Sequence, residues 1–344
     1  MRGDVKSSWL PVDLEPYLAE DAPLVEPEVL TRTDGQHLFY RGRTNLIFGD
    51  PEAGKSLLAL LAAKSVLDNG GTIVVFDFED SPRLFVDRLH RQFGVSADVI
   101  RDQVIYVRPD EPLTSATARE MVAMLEDAQP DLIIVDATSA ALDNQGSDSM
   151  TNADFGMLHR LLLRRLADVS SEPGVLIIDH TGHTDKSRPA GGHQKMSRVD
   201  GAAYLLRQLK PFGHGIIGRA SLTLKKDRPG AIRGRGTQGN NAGTFTLWSD
   251  PELVVLDASI EAPELAGGRA IDRDGRPDLE DAILVAIETL LVDHPKGVSG
   301  RGLHGQVGGN KDDFDHSLKQ LETAGRICHN GKKGSASGWL LPAP

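Results

Sequence analysis

Thr44–Leu61, TNLIFGDPEAGKSLLALL, is the stretch on which the reading of this chain turns. Asn45–Phe48 predicts a buried strand, Gly49–Ser56 has the spacing G-x-x-x-x-G-K-S, and an apolar helix begins near Lys55. A glycine-bearing loop between a strand and a helix is the pattern that cradles a polyphosphate. Gly49, Asp50, Pro51, Glu52, Ala53, Gly54, Lys55, Ser56 and Leu57 form the predicted nucleotide loop. Gly54 lets the backbone come close to the anion, and the loop amides and helix N-terminus point at it. Lys55 reaches the β- and γ-phosphates, and Ser56 is placed to ligate Mg²⁺. Glu52 stands where a small residue is usual, so its side chain is predicted to point away from the phosphates. ATP and Mg²⁺ are the expected ligands.

Working outward, composition sets the bounds. The 344 residues suffice for one sizeable core and a small extra domain. No apolar run approaches the roughly 20 residues that span a bilayer, and MRGDVKSSWL lacks a signal-peptide core. The sequence therefore predicts a cytoplasmic protein with no membrane partner. A single cysteine, Cys328, excludes an internal disulfide and a multi-cysteine metal site. The net charge of −11 speaks against nucleic acid at first sight, but its distribution is uneven. Thr181–Gly236 holds 12 Lys/Arg against 3 Asp/Glu, whereas residues 1–40 hold 3 against 8. A local basic stripe is an electrostatic footprint for phosphates, or an ordinary solvated surface.

Residues 1–27 read as an extended acidic arm that packs on the main domain or on a neighbouring subunit. Asp34-Gly35, between short apolar runs, predicts a hairpin over 28–40. TIVVFDFED (Thr72–Asp80), QVIYVRP (Gln103–Pro109), DLIIVDATSA (Asp131–Ala140) and GVLIIDHTGHT (Gly174–Thr184) read as strands buried on both faces. Helical patterns separate them, which predicts an α/β fold: a doubly wound, mostly parallel sheet with helices on both faces and ligands at the strands' carboxyl ends. His183–Gln194 reads as a mobile polar loop and Arg198–Lys210 as a helix or a strand. Thr244–Ala258 reads as final strands, antiparallel at the sheet edge. Residues 261–277 have linker composition, leaving 28–260 as the main domain. In 278–344, a helix with Leu279, Ile283, Ala286, Ile287, Leu290 and Leu291 on one stripe precedes helices at Gly300–Val307 and Lys311–Ala324. Two strands around a lysine-bearing tip follow, and together these predict a small winged helix-turn-helix domain.

Triphosphate hydrolysis needs a second metal-holding carboxylate, a group that activates water, and a positive charge for the transition state. Asp136, at the end of LIIVD, suits the first role; the alternative is an aspartate that merely ends a strand. The blocks GDPEAGKS, FDFED, LIIVD, IIDHT and LKKDRPG, in this order, resemble the RecA-like ATPases of the hexameric replicative helicase branch. The plasmid RepA type and its bacterial and phage relatives are the nearest pattern, within the wider AAA family ATPases. The resemblance covers roughly residues 28–258.

The resemblance implies roles. Glu79 matches the glutamate that polarises the attacking water; the alternatives are a helix-capping cluster with Asp80 and Ser81, or Asp77 as the base. His180 matches the polar residue that senses the γ-phosphate. Lys226 and Arg228 match the K-x-R pair inserted into a neighbouring subunit's site, which implies a homo-oligomer, most simply a hexameric ring. Lys186, Arg188, Lys195 and Arg198 lie where relatives place loops that contact single-stranded DNA. The implied activity is an ATP-hydrolysing, DNA-dependent motor of replication or recombination, helicase-like. A filament-forming recombination or repair ATPase and a nucleotide-switched DNA-binding regulator are the alternatives.

Overall fold

The computed structural model of the protein describes residues 11–18, 24–146, 152–182, 185–190, 193–233, 237, 240–252, 254–263, 279–291, 297–307, 311–331 and 338–341. A short hairpin, β1 (Val29–Thr31) and β2 (His37–Phe39), turns at Asp34-Gly35 with Gly35 at φ +84°. It leads into β3 (Thr44–Gly49), the phosphate-loop strand, and α1 (Lys55–Asp68). Every residue of β3 is buried, including Asn45, whose side chain is fully satisfied. Its Oδ1 accepts from the Tyr40 and Ala202 amides, and its Nδ2 donates to the Tyr40 carbonyl. A buried amide costs little when each group is paired, and here it ties hairpin and sheet together.

The remaining strands are β4 (Ile73–Asp77), β5 (Val104–Val107), β6 (Leu132–Asp136), β7 (Gly174–His180), β8 (Ala202–Lys210), β9 (Ile217–Asp227), β10 (Asn241–Ser249) and β11 (Val255–Glu261). With β3 they form one nine-stranded sheet in the order β11-β10-β9-β8-β3-β7-β6-β4-β5. The half from β8 to β5 is parallel, and β9, β10 and β11 join it antiparallel. This is the expected doubly wound architecture. Burial separates the two halves. β4 is buried at every position, whereas β9 alternates because its second face is only partly covered.

Helices cover the parallel half on both faces. On one lie α1, α2 (Pro82–Val86) with its π-helical continuation to Gln92, and the β1–β2 hairpin, around Leu58, Leu89 and Tyr204. On the other lie α4 (Ser115–Ala128), α5 (Thr138–Asn144) and the continuous run of α6 (Asn152–Leu158), a π-helical turn and α7 (Arg164–Ala167). Leu125, Leu142, Phe155 and Leu163 fill that side. α3 (Ala97–Gln103) precedes β5, and α8 (His193–Arg198) precedes β8.

Four sequence expectations are refined. The strand at Asp131 stops at Asp136, because Thr138, Ala141 and Leu142 then recur at helical spacing and turn inward as α5. Of Arg198–Lys210, read as a helix or a strand, Arg198 ends α8 and Ala202–Lys210 is β8. Among the described residues of the polar loop after His180, Ala190 N donates to His180 O, Gly182 N donates to Arg188 O, and α8 begins at His193. In the acidic arm, Val12, Leu14, Tyr17 and Leu18 are exposed rather than packed on the main domain.

The C-terminal region comprises α9 (Leu279–Leu291), α10 (Gly300–Val307), α11 (Lys311–Thr323), β12 (Cys328–His329) and β13 (Trp339–Leu340). Ile283, Ile287, Leu303, Phe314, Leu318, Leu321 and Ile327 form its own cluster. Val298 bridges Trp339 beside the β12–β13 pair. The expected linker falls, from residue 264 on, outside the described residues, as do the wing lysines Lys332 and Lys333. Among the described residues no helix is long and apolar enough to cross a membrane.

Candidate nucleotide site

Parallel register does the positioning. Gly49 is level with His180, and Asp77 with Asp136, so β3, β4, β6 and β7 deliver their carboxyl ends to one edge of the sheet. Gly54, at φ +90°, ends the loop in a left-handed turn and caps α1. Lys55 is buried, and its Nζ donates to the Gly49 and Asp50 carbonyls at 3.0 and 2.9 Å. Burial lowers its pKa, while Asp136, Glu79, Asp179 and Asp50 oppose the shift. Glu52 is exposed, at φ +63°, with its carbonyl accepting from the Gln208 side chain.

Ser56 Oγ donates to Asp136 Oδ2 at 3.0 Å, so the two predicted metal ligands meet although 80 residues apart in sequence. Burial, with the Glu79 charge second, pushes the Asp136 carboxyl up to about 6. A hydroxyl and a buried, electrostatically opposed carboxylate are the oxygen donors that suit a hard divalent cation, and the residues present therefore fit Mg²⁺. Glu79 Oε1 lies 3.6 Å from His180 Nε2, an ion-pair rather than a hydrogen-bond distance. That proximity holds the Glu79 carboxyl below its usual range against partial burial. Gly54, Lys55, Ser56, Glu79, Asp136 and His180 all border a single cleft of about 560 Å³.

At the β4 end, Asp77, Glu79 and Ser81 have different hydrogen-bond partners. Asp77 accepts from the Glu79 and Asp80 amides at 3.0 and 2.8 Å and from Tyr106 Oη at 2.8 Å. It is buried and shapes the turn that carries Glu79. Ser81, not Glu79, caps α2 through its side chain.

The predicted DNA-contacting residues are differently disposed. Lys195 is a correction: its ammonium is buried and paired with Asp179 at 2.6 Å, leaving it unable to meet a backbone phosphate. Lys186 is exposed but ion-paired at 2.7 Å with Asp50 of the phosphate loop, which also accepts from Thr181 Oγ1. These two donors, Lys186 first, lower the Asp50 pKa. Arg188 is exposed beside Asp185 at 3.4 Å, and Arg198 is half-buried.

Lys226 and Arg228 lie at the opposite edge of the sheet from the cleft. Lys226 is opposite Ala203, which is opposite Leu46; the Arg228 amide donates to Gly201 O, and Gly201 N to Thr44 O. Thr44 is five residues short of Gly49, about 16 Å along the strands, and β9 is two strands away. The pair therefore cannot serve its own cleft. Lys226 Nζ donates to the Met196 and Ser197 carbonyls, and burial followed by the Arg228 charge lowers its pKa. Arg228 is exposed, and among the described residues no ion pair engages its guanidinium.

Sequence reasoning missed four cleft residues, Arg88, Gln208, Pro211 and Phe212. Arg88, from the π-helical segment, and Phe212, after β8, border the same cleft. Phe212 stacks on Phe245 at 5.3 Å and lies against Gly54, where an added Cβ would be 2.5 Å from its ring. Neither Phe212 nor Arg88 carries a sequence signal: Phe212 reaches the cleft because β8 lies beside β3, and Arg88 because the helical segment after β4 borders it.

Residues 22–186, just under half of the chain, match the AAA_25 family, described as an AAA domain. Protein RecA of Limosilactobacillus reuteri strain DSM 20016 is 28% identical over 133 residues, 38% of this chain and 34% of that protein. Protein RecA of L. reuteri subsp. reuteri strain JCM 1112 matches equally. The fold is that of a RecA-like P-loop ATPase. The chain spans about a third of the length of these curated relatives. Among solved structures, the flagellar accessory protein FlaH of Methanocaldococcus jannaschii is 14% identical, with a TM-score of 0.47 over 70% of this chain and all of that one.

Proposed function

We propose that this chain hydrolyses ATP with Mg²⁺ and does so as an oligomer, most simply a ring, acting as a DNA-stimulated, helicase-like motor. The observation that carries the proposal is the division of the catalytic set between two edges of one sheet. Lys55, Ser56, Asp136, Glu79 and His180 converge on the cleft, whereas Arg228 stands exposed about 16 Å below it. In this reading Lys55 binds the phosphates, Ser56 and Asp136 hold the metal, and Glu79 accepts the proton of the attacking water. Bound Mg²⁺ supplies charge neutralisation between the phosphate oxygens. His180, within reach of Glu79, reports the state of the γ-phosphate. Arg88 and Phe212 border the cleft at a face and an edge suited to a base, one by charge and one by stacking.

Arg228 then completes the neighbouring subunit's site. Asp227 fixes it there: its carboxylate accepts from Tyr40 Oη, Gly230 N, Ile232 N and Arg233 N. A charge meant for a partner's transition state gains from being held in advance. The main domain spans residues 28–260, and 278–344 forms a separate winged-helix unit.

The test is steady-state ATP hydrolysis across protein concentration, with and without single-stranded DNA, for wild type and Arg228→Ala. We expect specific activity to rise with concentration, DNA to stimulate it, and Arg228→Ala to reduce kcat by about 10³-fold or more. Rates indifferent to all three would overturn the motor. One observation favours a second reading, a nucleotide-switched regulator: Lys195 is buried against Asp179, and Lys186, though exposed, is paired with Asp50 of the phosphate loop. Slow hydrolysis indifferent to DNA would move that reading ahead.

A further inference from the structure

Asp179 and Lys195 form a wholly buried ion pair, with side chains 0% and 2% exposed and 2.6 Å between Oδ2 and Nζ. Nothing in the chemistry proposed above uses it. Such a pair is no cheaper for the fold than two apolar side chains of the same volume, because desolvation offsets the Coulomb attraction. What it adds is direction, and here the direction is informative.

Asp179 and His180 are adjacent in β7, so their side chains leave opposite faces of the sheet. His180 faces the cleft; Asp179 faces the layer of α5, α6 and α8. The Asp179 carboxylate touches three elements. Oδ1 accepts from the His180 amide at 2.9 Å, and Oδ2 accepts from Thr138 Oγ1 at 2.8 Å, two residues beyond Asp136. Oδ2 also accepts from Lys195 of α8, whose ammonium lies 5.7 Å from the centre of the Phe155 ring. In the next two residues of α8, the Met196 and Ser197 carbonyls accept from Lys226, two residues before Arg228. Thus one short helix is fastened by a side chain to the strand ending in His180 and by its carbonyls to β9, which ends one residue before Arg228.

We infer that Lys195 is a positioning residue, and that the Asp179–Lys195 pair with α8 makes the placement of Lys226 and Arg228 depend on the occupancy of the same subunit's cleft. A change at the β7 end, where His180 and Thr138 share the Asp179 carboxylate, moves α8 as a unit, since a buried ion pair has no alternative partner in a packed interior. Movement of α8 carries Lys226 with it. Each subunit in an assembly would then offer its arginine onward according to its own nucleotide state, which gives the hydrolysis sequence around a ring a physical order. This inference rests on the proposed role of Arg228 in trans.

The experiment compares wild type, Lys195→Met, Asp179→Leu/Lys195→Met, Arg228→Ala and the triple variant, all as full chains. The double variant removes both charges together and so avoids the stranded carboxylate of Lys195→Met; it also withdraws the acceptor of the Thr138 hydroxyl and the His180 amide, so melting temperatures are measured beside both readouts. Two readouts are taken. The first is amide hydrogen exchange with and without Mg²⁺ and the slowly hydrolysed analogue ATPγS. We expect the analogue to protect segments 49–57 and 224–230 in wild type, and only 49–57 in the double variant. The second is hydrolysis: kcat of the double variant falls by about 5- to 150-fold with KM nearly unchanged, and the double change adds little further loss on top of Arg228→Ala. Protection at 224–230 that is absent in wild type, or that survives in the double variant, overturns the inference. So do losses from the double variant and Arg228→Ala that multiply. Should wild type bind ATPγS but fail to hydrolyse ATP, the proposed enzymatic reading falls while the exchange comparison still decides the coupling.

Discussion

A methyl group on Gly54 would stand 2.5 Å from the Phe212 ring, on a backbone at φ +90°. Gly54→Ala should therefore cost about 1–2 kcal/mol in conformational strain alone, lower the melting temperature, and weaken ATP binding in an equilibrium titration. Phe212→Ala on top should return little of that stability, because removing the ring relieves the collision but leaves the dihedral. At the same scale, the His180 imidazole beside Glu79 keeps that carboxyl below its normal range. A base whose pKa is depressed stays ionised to lower pH, so the acid limb of kcat/KM should lie below the ordinary glutamate value. His180→Ala removes the cause and should move that limb upward. A pH–rate profile at saturating Mg²⁺ reads the shift, and a limb that stays in place or moves down would argue that another group titrates. Residues such as Lys55, Ser56 and Asp136 were legible in the sequence because loop spacing and strand ends specify them locally. Lys195 was not, since a lysine in the polar run HTDKSRPAGGHQK looks solvated until the fold sets Asp179 opposite it.

The turn after β4 shows how an element, rather than a residue, places the proposed base, Glu79. Asp77 accepts two amides of the turn and the Tyr106 hydroxyl from the neighbouring strand β5. Burial and the adjacent Asp77 raise the Tyr106 pKa, so the phenol remains a donor throughout the working range. Tyr106→Phe should cost about 1 kcal/mol, the usual net worth of one such bond. Its larger expected effect is on kcat, a loss of several-fold with KM for ATP unchanged, because the turn that aims Glu79 loses a support while the phosphate loop keeps all of its own. A change confined to KM would place the support elsewhere. Element types were most legible where burial is two-sided: LIIVD and TIVVF are continuous apolar runs, which strands in a parallel sheet require. They were least legible at ATSAALDN, where a strand ends and a helix begins within one apolar stretch, and at Arg198–Lys210, whose pattern suits either period. In both places the sheet, not local propensity, makes the choice.

At the scale of the whole chain, charge and packing divide differently. The clusters that flank the sheet draw their buried residues from positions 29 to 260, and the C-terminal cluster draws its own from 283 to 327. A core that shares no buried side chain with its neighbour can be removed without opening a cavity in it. A chain ending at Pro263, just beyond the edge strand β11, should therefore keep the main melting transition and hydrolyse ATP within about twofold of the full chain, since no group placed at the cleft lies beyond that point. The division also bears on nucleic acid. Residues 278–344 hold nine Asp/Glu against seven Lys/Arg, whereas 181–236 hold 3 against 12. Phosphate binding scales with the number of cations that displace counterions, about 0.7 of an ion per contact on a single strand. Loss of an almost neutral segment should thus leave the salt slope of single-stranded DNA binding unchanged, and its midpoint within about threefold. Fluorescence anisotropy of a labelled oligonucleotide over a salt series, for the full and shortened chains, measures both. A slope that falls by two or more on truncation would move the phosphate contacts to the C-terminal helices. A slope near zero in both chains would mean that Lys186 stays with Asp50, and that the basic stripe serves the inside of the protein.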